Sequence, residues 1–168
     1  MECIYNVPKY SKLNDLKKVL KIFKKYPMHC VDIVDNFGRT AFHYAAKNNN
    51  LPLMKYLINL GANVDKVDND GINALQLAIM SDSDETAAYL IDIGINPNDF
   101  NSIDNNSLLH LAILNDNSYI ANKLLLAGAD PLFKNYKNYD SYQTAQQYFD
   151  EDELKLFERN LDKMGYDV

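Results

Sequence analysis

Thr40 and His43 stand three residues apart in DNFGRTAFHYAAKNNN (residues 35–50), with Arg39 just ahead of them. A hydroxyl, an imidazole and a guanidinium on one short segment are the parts of a nucleophile, a general base and an anion clamp. His29 precedes Cys30, a pairing that metal sites use, but no second Cys/His pair accompanies it. Cys3 and Cys30 lack CxxC spacing, so two isolated free thiols in a reducing compartment are expected; nothing in the sequence argues for a bridge between them. The chain contains no GxxxxGK[ST] phosphate loop, no HExxH and no GxSxG elbow. Clustered carboxylates occur as DEDE (150–153), which reads as an exposed helix start. The expectation is a non-enzyme without cofactor or metal.

The elements that carry Thr40 and His43 occur more than once. GRTAFHYA (38–45) is followed by GINALQLA (71–78), NNSLLHLA (105–112) and a fainter NYDSYQTA (138–145), at offsets of 33, 34 and 33 residues. Such a period marks a stacked-repeat architecture. Gly38, Gly71, Asn105 and Asn138 are the types that tolerate a left-handed turn. Thr40, Asn73, Ser107 and Asp140 are helix N-cap formers. His43, Gln76, His110 and Gln143 stand where a side chain reaches back in a capping box. Ala45, Ala78, Ala112 and Ala145 keep a column small for helix packing. Because Gln76 replaces the histidine in one copy, an essential acid–base role for His43 or His110 is not expected; satisfied structural histidines are.

Each unit also has a second half. Leu57-Ile58, Leu90-Ile91 and Leu124-Leu125 lie late in a second helix, and Gly61, Gly94 and Gly128 follow as left-handed stops. Pro52 falls in a first helical turn, where a missing N–H costs nothing. The unit is therefore turn, short helix, tight connection, longer helix and glycine stop.

In DNFGRTAFHYAAKNNNLPLMKYLINLGANVD, DNDGINALQLAIMSDSDETAAYLIDIGINPN and NNSLLHLAILNDNSYIANKLLLAGADP the chain resembles the ankyrin-repeat family. The resemblance covers most of the chain. It implies an all-α solenoid of helix–turn–helix units with β-turn fingers, as a single domain over 1–168. An N-terminal cap (1–34), repeats at 35–67, 68–101 and 102–134, and a C-terminal cap (135–168) are expected. The proline usual after the N-cap is replaced by Ala41, Ala74, Leu108 and Ser141, and one extra residue near NPNDFNS (96–102) predicts an altered finger. Leu13, Leu16, Val19, Leu20 and Phe23 form one helical stripe of the first cap, and Leu154, Phe157 and Leu161 that of the last. Both ends read as finished caps, so a complete protein is expected.

Composition bounds the partner. The chain of 168 residues suffices for one domain with a real core, and 47% hydrophobic against 24% charged residues is ordinary for a globular protein. MECIYNVPKYSK has no uninterrupted apolar stretch for a secretory signal, and no apolar run approaches bilayer length. A cytoplasmic location is expected, with non-classical secretion left open. Net charge is −6, divided as +4 over 1–34, −6 over 35–134 and −4 over 135–168. An acidic body disfavours nucleic acid and favours another protein with a basic surface. The Lys9–Lys25 run reads as the solvated face of the first helix.

The resemblance implies protein binding through turn tips and the exposed side of each first helix. In register these are Asn36, Phe37, Arg39, Lys47 and Asn48; then Asn69, Asp70, Ile72, Met80 and Ser81, with Phe100 in the finger. Ile103, Asp104, Asn106, Leu114 and Asn115 follow, and last Tyr136, Lys137, Tyr139, Gln147 and Tyr148. Phe37, Ile72, Met80, Phe100, Ile103, Leu114, Tyr136 and Tyr139 make this face unusually apolar, and contiguous exposed apolar surface marks interaction sites. Asp70 and Asp104 flank it. The leading expectation is a monomer when free that inhibits or sequesters a partner, as toxin-neutralising immunity proteins and IκB-like inhibitors do. The DSGxxS degron of the latter is absent. A pathogen effector or adaptor using the same face is the alternative, and nucleic-acid or membrane attachment through the Lys-rich helix is a third.

Overall fold

The computed structural model describes Lys18, Lys21 and residues 31–101 and 105–166. Cys3, His29, Cys30, Ile103, Asp104 and the apolar stripe of the first cap lie outside the described residues, as does the Lys9–Lys25 run apart from Lys18 and Lys21, which are helical and exposed. The chain separates into two compact units, Met1–Tyr89 and Leu90–Val168.

In the first unit α1 (Ala41–Lys47) is followed by α2 (Leu51–Asn59) and α3 (Ala74–Ile79), and α4 (Asp84–Asp92) runs across the boundary. The second unit holds β1 (Phe100–Asn101), β2 (Asn106–Ser107), α5 (Leu108–Leu114), α6 (Ser118–Leu126), α7 (Ser141–Tyr148) and α8 (Glu151–Lys163). The first helices are too short to stand alone in water, so their caps and buried faces must hold them. Thr40, Asn73 and Asp140 each accept the N3 backbone N–H, while His43, Gln76 and Gln143 answer the cap's own N–H. Ser107 accepts the backbone N–H of His110. All four members of the N-cap column are therefore caps, as their chemistry predicts.

The glycine stops behave likewise. Gly61, Gly94 and Gly128 have φ of 83°, 86° and 94°, beyond the ends of α2, α4 and α6. At the opposite end of the repeat, Gly38, Gly71, Asn105 and Asn138 share the left-handed region at 76°, 77°, 52° and 62°. Pro52 sits in the first turn of α2.

Within the first unit α1 packs on both α2 and α3; within the second α5 packs on α6 and α7, and α8 packs on α6. The core is Phe42, Leu53, Met54, Leu57 and Leu75 in one unit, and Leu108, Leu109, Ile113, Ile120 and Phe157 in the other. The alanine column, Ala45, Ala78, Ala112 and Ala145, is wholly buried, which explains its small size. In the C-terminal cap Phe157 and Leu161 are buried while Leu154 is half-buried. An amide pair also seats this cap: Asn160 Nδ2 donates to Asn122 Oδ1 at 2.6 Å, and Asn122 Nδ2 donates to the Ser118 carbonyl at 2.8 Å.

The altered finger is a short antiparallel ladder, with Phe100 opposite Ser107 and Asn101 opposite Asn106. Its Phe100 stacks on Phe133, ring centroids 5.7 Å apart.

Candidate protein-binding surface

An Asp/Asn column three residues before Gly38, Gly71 and Asn138 shapes their turn tips. Asp35 Oδ1 accepts the N–H groups of Phe37 and Arg39 at 2.9 and 3.0 Å. Asp68 Oδ1 accepts those of Asp70 and Ile72, both at 3.0 Å. Asn135 Oδ1 accepts those of Lys137 and Tyr139 at 3.0 and 3.2 Å. These Asx turns hold the tips in one shape. Sequence reasoning passed over Asp35, Asp68 and Asn135; their recurrence three positions ahead of Gly38, Gly71 and Asn138 was the available signal.

Neighbouring tips are joined to each other. Asn69 donates from its backbone to the Phe37 carbonyl at 2.9 Å and from Nδ2 to the Asn36 carbonyl at 3.1 Å. In the second unit Asn105 Nδ2 reaches the Lys134 carbonyl at 2.9 Å. Asn135 Nδ2 reaches Asn106 Oδ1 at 3.0 Å.

In the first unit Asn36, Phe37, Lys47, Asn69, Asp70 and Met80 are exposed, and Arg39 is half-buried. Phe37, Arg39 and Lys47 meet, with Tyr44 and Asn48, around a cavity of about 260 Å³. The Arg39 guanidinium lies 5.9 Å from the Phe37 ring centroid, a cation–π contact. Its pKa is raised: burial pulls it down, but the hydrogen bond and charge of Asp68 outweigh that. Burial and then the Tyr44 hydrogen bond to Asp35 Oδ2 at 2.5 Å push the Tyr44 phenol well above its ordinary value, so it is a fixed donor.

In the second unit Leu114, Tyr136, Tyr139 and Tyr148 meet around a cleft of about 400 Å³, with Asn106, Asn135, Lys137, Thr144 and Gln147. Tyr136 is 71% exposed, and Tyr139 and Tyr148 are exposed as well. The three phenol hydroxyls and the Lys137 ammonium have no hydrogen-bond partner among the described residues. His110 fixes one wall from beneath, its Nε2–H donating to the Tyr139 carbonyl at 3.0 Å. It also meets Phe133 edge-on at 6.5 Å.

Three expectations are corrected. Ile72 and Leu114 are half-buried instead of exposed, because each sits at the edge of a packed column. Asn106 is buried, since it is a strand residue bonded to Asn135. His43 is not a fully satisfied histidine. Its Nδ1 accepts the Thr40 N–H at 3.2 Å, which places the proton on Nε2, and Nε2 is buried without a partner.

The hydroxyl–imidazole pairs are caps in geometry. Thr40 Oγ1 lies 2.9 Å from His43 Nδ1 and Ser107 Oγ lies 2.7 Å from His110 Nδ1. All four residues are buried, and each hydroxyl oxygen also accepts its histidine's backbone N–H. Burial lowers the pKa of both histidines.

Turn-tip hydrogen bonds, paired helices with capped starts and glycine stops define a helical-repeat protein. A family model of ankyrin repeats in three copies matches residues 9–101, and one of a single ankyrin repeat matches residues 104–136. The chain belongs to the ankyrin-repeat family, whose repeats are in general non-enzymatic protein–protein interaction modules. No curated protein matches it. Among the described residues no helix is long and apolar enough to cross a membrane.

Proposed function

We propose that this chain acts by occupying a partner protein, with the tyrosine cleft of the second unit as its main contact. The carrying observation is that Tyr136, Tyr139 and Tyr148 are all exposed around half-buried Leu114. Tyrosine presents a large, stiff, amphipathic surface at little entropic cost, and central aromatics dominate binding energy. The first unit's Phe37, Arg39 and Lys47 offer a further contact of the same kind. Occupation of this sort inhibits or sequesters the partner.

Capture of a defined partner by the intact chain tests the reading. Tyr136→Ala and Tyr148→Ala together should abolish capture and leave the thermal melt unchanged. Leu126→Asp, on the outer side of α6, should leave capture intact. Capture indifferent to the tyrosines would overturn it.

A further inference from the structure

We propose that the tyrosine cleft takes an acidic protein segment, one that sets an Asp or Glu carboxylate beside an apolar side chain. The inference rests on the protein-binding reading above and adds the chemistry of the partner.

The polar groups around the cleft fall into two sets. One is already committed within the protein. Asn106 Oδ1 accepts from Asn135, and Asn135 Oδ1 serves two backbone N–H groups. Thr144 Oγ1 donates to the Asp140 carbonyl at 2.8 Å, and Gln147 Nε2 donates to the Gln143 carbonyl at 3.0 Å. The other set, without a partner among the described residues, includes three phenol O–H groups and the Lys137 ammonium, beside the Gln147 Oε1 acceptor. Four donor groups without a protein partner thus belong to residues around one cleft, and among the described residues no carboxylate lines it.

Of the carboxylates near the cleft along the chain, Asp140 and Asp150 serve as helix caps, while Asp116 is exposed two residues after Leu114. Asp140 Oδ1 accepts the Gln143 N–H at 2.8 Å, and Asp150 Oδ1 accepts the Glu153 N–H at 2.9 Å. Lys134, exposed on the same turn, adds a second positive charge. The net charge of −6 alone points to a basic partner, but the cleft lining itself carries one positive charge, Lys137, and no negative one. Carboxylate oxygens accept strong hydrogen bonds from an ammonium and from phenols. Leu114 and the tyrosine rings provide the apolar seat beside them.

A random peptide library displayed on phage and panned over the intact chain tests this. Enriched peptides should carry Asp or Glu next to an apolar residue. A synthetic copy should lose about tenfold or more in affinity on Lys137→Glu and on Tyr148→Ala. Changing that peptide's acids to Lys should restore binding to the Lys137→Glu chain. Lys137 and Tyr148 are exposed, so both variants should keep the wild-type melt; if Tyr148→Ala does not, Lys137→Glu with the charge-reversed peptide decides alone.

Basic or neutral peptides that still depend on both residues would overturn the acidic partner and leave protein binding at the cleft standing. Peptides indifferent to both residues, or no enrichment, would overturn both. Concentration-dependent dimerisation lost on Tyr148→Ala would make a second copy of the chain the occupant, and overturn the proposal as well.

Discussion

Arg39 Nε donates to Asp68 Oδ2 at 2.8 Å, so a half-buried guanidinium in one turn is held by a carboxylate in the next. The Asp68 side chain is 0% exposed and its other oxygen accepts two backbone N–H groups, so it is the hub of its tip. Removing it strands those donors and the guanidinium together. Asp68→Ala should cost about 3 kcal/mol in urea unfolding, and Arg39→Met less, because Asp68 keeps its backbone donors.

Gly38 and Gly71 have nearly the same φ, yet they should not tolerate alanine equally. A Cβ on Gly38 would meet Asn69 Oδ1 at 2.4 Å and Asn69 N at 2.8 Å, whereas one on Gly71 meets nothing within 4 Å. Gly71→Ala should cost about 1–2 kcal/mol, the ordinary penalty of a left-handed non-glycine residue. Gly38→Ala should cost clearly more and displace Phe37, whose carbonyl accepts from Asn69. Comparison of the two melts checks this.

The buried histidines predict a pH dependence. Burial first, against smaller opposing effects, lowers both pKa values, so below the unfolded value of about 6.5 the unfolded chain binds more protons. Their contribution is fully present above that pH and is lost as pH falls through the folded values. His43→Gln and His110→Gln, which adopt the side chain of Gln76 and Gln143, should flatten this acid-side decline. Melts between pH 7.5 and about 5 would show an unaltered slope if the histidines were not responsible.

The Asn122–Asn160 pair predicts non-additivity. Asn160→Leu leaves the Asn122 oxygen unpaired in a buried place and should cost about 1–3 kcal/mol. Replacing both by Leu should recover part of that loss, and a double-mutant cycle measures the coupling.

The fold was legible because each repeated column has a local cause: a left-handed turn residue, a cap, a small packing position, a glycine stop. Turn tips such as Phe37 and Tyr136 were legible as exposed for the same reason. Ile72, Leu114 and Asn106 were not, since register assigns a face while neighbouring side chains and strand pairing set exposure. The cleft itself joins Leu114, Tyr136 and Tyr148 from three separate segments, and only packing of α5 on α7 brings them together. The Asn122–Asn160 bond depends on the docking of α8 on α6, which no repeat column encodes.

Tyr119 and Leu126, 60% and 65% exposed on α6, are the rival contact surface. A photo-crosslinking residue placed in turn at Tyr148, Tyr136, Tyr119 and Leu126 of the intact chain discriminates directly. Covalent attachment of a partner protein from positions 148 and 136, but not from 119 and 126, is the expected result. Attachment from 119 or 126 alone would contradict the claim that the tyrosine cleft is the binding surface.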